Sequence, residues 1–111
     1  STPEIHDQII AYTSQLAHVV SSAYIKSPTM LREEGYSAGS FRDLTRVARL
    51  DEKMWTDLFL RNADFLVDEI DEIIKHLREY RDVLHDHDAQ TLEFLLKDGR
   101  VKKEWSNDHV Q

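Results

Sequence analysis

Two stretches hold the side chains best suited to chemistry. In YTSQLAH, residues 12 to 18, Ser14 stands one helical turn before His18, so a helix would put a hydroxyl and an imidazole side by side. In SFRDLTRVARL, Arg42, Arg46 and Arg49 recur at i, i+4 and i+7 beside the apolar positions Phe41, Leu44, Val47 and Ala48. Asp43, three residues before Arg46, is placed to hold its guanidinium. Arginine grips a carboxylate with two parallel hydrogen bonds, so this segment is a candidate anion site. Each feature also has a plainer reading. His18 serves either as a donor to an oxygen-rich ligand or as a packed histidine satisfied by a neighbouring carbonyl or carboxylate. The arginines serve either an anion or some of the 21 acidic residues of the chain.

The elements that must carry these side chains are helices. Only three glycines and two prolines interrupt 111 residues, and apolar residues recur at spacings of three and four almost throughout. The sequence predicts an all-α fold forming a single domain over residues 1 to 111. Thr2, Pro3 and Glu4 make a helix start, with a capping hydroxyl, proline in the first turn and an acid at the positive end of the dipole. That helix should run to about Ile25. Residues 27 to 40, with Pro28, Gly35 and Gly39, form the loosest part and leave room for one short helix. A second helix is expected from Phe41 to Leu50. Asp51 then caps a stretch in which Trp55, Leu58, Phe59, Asn62, Leu66, Ile70, Ile73, Leu77 and Leu84 keep a helical rhythm. Unbroken, it would be about 50 Å long, so a joint is expected at Asn62 to Asp64. A last helix should start near Asp86 or Asp88, carry Leu92, Leu95 and Leu96 inward, and bend or end at Gly99.

The first helix is unusual in its charge. Gln8 to Ile25 carry no formal charge, in a chain with 32% charged residues. On a helical wheel Ile5, Ile9, Tyr12, Leu16, Val19, Val20 and Ala23 form one apolar stripe, while Ala11, Ser14, Gln15, His18 and Ser22 lie roughly opposite. Small uncharged polar groups suit a face that is itself covered, by another helix, a second subunit or a polar ligand.

Composition removes several function classes. Fourteen basic against 21 acidic residues give a net charge of -7, which disfavours nucleic acid. With no cysteine there is no disulfide scaffold, zinc-thiolate site or thiol nucleophile. No stretch is apolar enough to span a bilayer and none resembles a signal peptide, so no membrane partner and a cytoplasmic setting are expected. The start at Ser1 rather than Met predicts a piece of a longer protein. His6-Asp7 and HDHD at 85 to 88 are suitable metal ligands by type, but alternate residues on a helix point about 160° apart, so the latter would need a loop.

HDQIIAYTSQLAH at 6 to 18, AGSFRDLTRVA at 38 to 48 and MWTDLFLRN at 54 to 62 together resemble the C-terminal helical domain of prephenate dehydrogenases. That family has an HD pair, a Ser-His-Leu-Pro-His motif, a Gly-Phe-x-Asp-x-Thr-Arg-Ile-Ala motif, and Met-Trp-x-Asp with a downstream Asn. The blocks occur here in order. Departures are Gln15 where the family often has its first histidine, Ala17 in place of proline, and Ser40 where a second glycine is common.

The resemblance implies a helical dimerisation domain of the prephenate dehydrogenase and 6-phosphogluconate dehydrogenase C-terminal-like type. It also implies oxidative decarboxylation of prephenate to 4-hydroxyphenylpyruvate with hydride passing to NAD or NADP, on the route to tyrosine. The cofactor would belong to an N-terminal Rossmann domain, since this chain has no Gly-x-Gly-x-x-Gly turn after a strand. No cofactor and no catalytic residue are therefore expected within these 111 residues, and the piece alone should be inactive. By resemblance Arg46 binds a substrate carboxylate, with His18 and Ser14 on the same cleft, Asp43 orienting Arg46 or joining a gating ion pair, Gln15 in the pocket wall, and Trp55 either lining the pocket or packed in the core. The implied partners are a homodimer mate, the Rossmann domain and prephenate. Arogenate as substrate, or a stand-alone helical dimerisation or regulatory module, are the alternatives.

Overall fold

A computed structural model describes residues 2–32 and 39–109, and all regular structure in them is helical, with no strand among the described residues. Gly35 and Ala38, which figured in the sequence reading, lie outside the described residues. The chain forms two compact units, Ser1–Asp71 and Glu72–Gln111.

The first unit opens with a rod close to the predicted bounds. Thr2 Oγ1 accepts the Ile5 amide at 3.2 Å, and Pro3 starts helix α1, Pro3–Ile10. The rod continues through a wide π turn, Ala11–Gln15, into α2, Leu16–Tyr24, which Ile25 caps. In the wide turn the Leu16 amide bonds back to the Ala11 carbonyl, five residues earlier. The Thr13 hydroxyl donates to the Ile9 carbonyl at 2.8 Å and so competes with the ordinary ladder there.

This turn corrects the predicted stripe. A π turn adds one residue to the rod, and so rotates everything after it by roughly 100° relative to an uninterrupted α-helix. One apolar face becomes two short ones. Ile5, Ile9 and Tyr12 are 47%, 51% and 62% exposed, whereas Ala11, Gln15, Leu16 and Ser21 are buried. The supposedly opposite polar face is thus the one that packs within the chain, and the early apolar residues look outward. Ala11 and Ser21 are small, which allows close approach by neighbouring backbone.

After a short 3-10 turn, Pro28–Arg32, the described chain resumes at α3, Gly39–Thr45. The helix predicted to reach Leu50 stops at Thr45, whose hydroxyl donates to the Phe41 carbonyl at 2.8 Å. Arg46–Ala48 form a 3-10 turn and Arg49 is extended at φ -83°, ψ 100°. Arg42, Arg46 and Arg49 therefore share no continuous helical flank. Both α3 and the Arg46–Ala48 turn pack on α2.

Asp51 behaves as expected, its Oδ1 accepting the amides of Lys53 and Met54 at 3.1 and 3.2 Å to start α4, Glu52–Arg61. The predicted joint is at Asn62, with φ -118° and ψ 26°. Its amide donates to the Phe59 carbonyl, and its carbonyl accepts from Leu66 in the first turns of α5, Ala63–His85.

In the second unit the end of α5 and α6, Ala89–His109, form a helical hairpin. His87 turns it at φ 52°, and the Asp88 amide bonds back to the Val83 carbonyl at 2.9 Å, as in a glycine-ended helix. Asp88 caps α6, with Thr91 donating to its carboxylate from both amide and hydroxyl. The Tyr80 hydroxyl donates to the Leu95 carbonyl at 3.2 Å. Two expectations fail here. α6 does not end at Gly99 but continues to His109, and Leu96 is 57% exposed rather than inward.

Two measurements check this hairpin. His87→Gly removes a left-handed side chain and should raise stability by about 1 kcal/mol in chemical unfolding. The Thr91 side-chain and backbone bonds hold the Asp88 carboxyl below its ordinary 3.8. A depressed folded pKa contributes stability above the unfolded value and loses it as pH falls through the folded value. Asp88→Asn should therefore be less stable than the parent at neutral pH, with the difference closing on acidification below about pH 4.

Candidate functional site

The site grows from the contact between the rod and α4. His18, on the first turn of α2, stacks on Trp55 of α4 with ring centroids 4.1 Å apart and planes 26° from parallel. Trp55 in turn meets Phe59, one helical turn on, at 5.5 Å. These three rings line an open cavity of about 340 Å³. That volume is at the lower end for small-molecule sites. Ser22 and Thr56 contribute hydroxyls to its wall, and Lys26 and Glu52 contribute one charge of each sign.

The His18 ring is held by backbone. Its Nδ1 lies 2.8 Å from the Ser14 carbonyl. A carbonyl only accepts, so in this pairing Nδ1 carries the hydrogen and Nε2 remains for a ligand. Neutral His18 then presents an acceptor at Nε2, and the imidazolium presents a donor. Both readings of His18 meet here, because a carbonyl satisfies one nitrogen while the ring lines a cavity. Ser14 does stand beside His18, but it is the Ser14 backbone that touches the ring.

Gln15 lies elsewhere. It is 5% exposed, its Nε2 donates to the Leu58 carbonyl at 3.4 Å, and its Oε1 accepts from Asn62 Nδ2 at 2.9 Å. The same Asn62 nitrogen donates to the Asp7 carbonyl at 2.9 Å. Gln15 and Asn62 thus tie the rod to the α4–α5 joint. Gln15 is absent from the wall of the His18 cavity.

Arg46 and Asp43 are exposed, and among the described residues no ion pair joins them. The predicted orienting contact fails because Arg46 begins a 3-10 turn rather than continuing α3. Arg46 sits on a segment packed against α2, the helix that bears His18, yet it does not line the His18 cavity within this chain. Trp55 is half-buried, stacked on His18 and lines the cavity, so the packed and the lining alternatives meet in it. Lys26, Glu52 and Thr56 were missed, since scattered residues of common type give no local signal. Asn62 was noticed only as a joint. Among the described residues no three His, Asp or Glu side chains group as metal ligands, and Asp88 of the HDHD run is occupied in capping α6.

Residues 2–98 match the family model described as the prephenate dehydrogenase dimerization domain. The chain is 35% identical to a cyclohexadienyl dehydrogenase of Zymomonas mobilis over 96% of its own length and 39% of the relative's. It is 30% identical to a prephenate dehydrogenase of Lactococcus lactis over 86% of its length and 28% of that protein's. Among solved structures, prephenate dehydrogenase from A. aeolicus in complex with hydroxyphenyl propionate and NAD+ superposes with a TM-score of 0.79 at 28% identity, covering 94% of this chain and 38% of the other. The chain thus spans well under half the length of these relatives. Its ordered motifs, its helical architecture and a match over nearly its whole length agree: the chain belongs to the prephenate dehydrogenase family, as its dimerization domain.

Proposed function

We propose that this domain contributes a dimer interface and part of the substrate site to an enzyme that oxidatively decarboxylates prephenate to 4-hydroxyphenylpyruvate with NAD, in cytoplasmic tyrosine biosynthesis. The observation that carries the reading is the His18–Trp55 stack at the floor of an open cavity, formed by two residues that fall on the family's motifs.

The chemistry fits a ring bearing two carboxylates and a hydroxyl. Trp55 and Phe59 offer apolar surface to the cyclohexadiene, and His18 Nε2 is available to its hydroxyl. Arg46 supplies a carboxylate clamp from the neighbouring turn, in a site completed by the second subunit and a nucleotide-binding domain. NAD would be held on that other domain and would accept the hydride. The uncharged first helix keeps acids away from a dianion. Arogenate is the second reading, favoured by Glu52 at the cavity wall, because a carboxylate there suits the amino group that replaces the keto group of prephenate. Steady-state rates of the full-length enzyme with each substrate decide between them. No turnover of either would reject the assignment.

The surface supports a homodimer. Among the described residues only Ala11, Leu16 and Leu66 are buried and apolar, whereas Ile5, Ile9, Tyr12, Phe94, Leu96 and Trp105 are all exposed. Such unpartnered apolar area is what an obligate interface covers. Among the described residues no helix is long and apolar enough to cross a membrane.

The chain should sediment as a dimer at micromolar concentration, and Ile9→Asp should shift it to monomer; a parent that sediments as a monomer defeats the expectation. In the full-length enzyme Arg46→Ala should lower kcat/KM by about 2 to 4 kcal/mol of transition-state binding. An unchanged kcat/KM would instead favour a dimerisation or regulatory module without substrate contact.

A further inference from the structure

We infer that Asn62 is a positioning residue that sets His18 over Trp55 by holding the wide turn of the first helix through Gln15. The inference concerns the same site as the proposed function and rests on that reading for its kinetic consequence only.

Helical phase decides where His18 points. His18 follows the π turn Ala11–Gln15. Were that turn to relax into a regular α-helix, every residue after it would rotate by roughly 100° about the axis. His18 would leave the face that meets Trp55. The stack therefore exists only while the wide turn does. A wide turn is locally less favourable than α-helix, so something must hold it.

The Thr13 hydroxyl loosens the ladder locally by bonding the Ile9 carbonyl, and a tie from outside the rod spans the turn. Asn62 Nδ2 donates to the Asp7 carbonyl in α1 and to Gln15 Oε1 at the end of the wide turn, both at 2.9 Å. The two acceptors bracket the turn, one before it and one at its last residue. Gln15 extends the tie by donating to Leu58 on α4, one turn beyond Trp55. Gln15 is 5% exposed and Asn62 half-buried, so neither exchanges this bond freely for water. Both are amides, which can accept and donate at once. Asp at position 62 offers only acceptors, and would face two other oxygens.

A chain of contacts thus runs from the α4–α5 joint, through Asn62 and Gln15, to the phase of α2 and the tilt of the His18 ring. Trp55 and Leu58 lie on the same α4 helix, so the two rods are keyed at two heights: ring on ring at one, amide on carbonyl at the other.

The test is proton NMR of this chain in solution. Stacking on an indole displaces the ring protons of His18 upfield. His109, stacked on Trp105 at 4.3 Å in the second unit, supplies an internal reference. Asn62→Asp, and independently Gln15→Met, should abolish most of the His18 displacement and leave that of His109 unchanged. A His18 displacement that persists in both variants overturns the inference. So does simultaneous loss at His18 and His109, which would mean that the amides carry the fold and not the ring.

The kinetic arm uses the full-length enzyme. Asn62→Asp should lower kcat/KM about tenfold or more, and by less than about twofold when His18→Gln is already present, because the two act in series. Full additivity overturns the inference. If the ring displacement is lost but turnover is not, positioning stands and the assignment of the cavity to substrate falls.

Discussion

One carboxamide, that of Asn62, joins the parts that matter most in the first unit. It is the residue at which α4 gives way to α5, and its side chain reaches back to two acceptors on the first helix. Without such a tie the rod would have little to fix its rotation. Its buried contacts are few and small, Ala11, Leu16 and Ser21 among them, and apolar packing on that scale is tolerant of a slip along or around an axis. Directional bonds are not. The fold therefore uses polar groups for register and leaves much of its apolar surface unspent.

That division answers the question raised by the uncharged first helix. A lysine or glutamate on the Gln15 side would bury an unpaired charge against α4, at a cost of several kcal/mol. The outward side, with Ile5, Ile9 and Tyr12, is apolar for a separate reason under the proposed function, as surface for a second copy to cover. Charge is excluded twice over, by different neighbours. The charged residues crowd onto the exposed flanks of α5 and α6, where pairs such as Asp98–Lys102 and Arg100–Glu104 lie one helical turn apart and contribute little beyond solubility.

How much of this was legible in the sequence depended on whether the signal was local. Caps were, because Thr2, Asp51 and Asp88 act on amides within three residues. The joint at Asn62 was, because an unbroken rod of that length is uncommon. The ordered motifs disclosed the family and, through it, named His18 and Trp55 separately; that the two rings stack on each other was not part of that reading. What could not be read was helical phase. A wheel drawn at constant angle has no place for the wide turn at Ala11–Gln15, so it merged two apolar faces into one, although it did put Gln15 on a covered face, and the cover is α4. The same blindness made Arg42, Arg46 and Arg49 a single flank, when a threonine hydroxyl at position 45 ends the helix first. Lys26 and Glu52 reach the cavity from segments far apart in sequence, and nothing in their immediate surroundings announces it.

The scarcity of fully buried apolar residues bears on how substitutions should be weighed. In most domains of this size a residue such as Ile9 or Leu96, half open to water in its own chain, tolerates replacement at little cost. In the proposed homodimer such positions would form an interior that two copies build jointly, so a polar replacement there would be felt as a core defect, and felt twice by symmetry. On that proposal, fitness effects along this chain should track distance from the dimer axis more closely than accessibility in the isolated protomer.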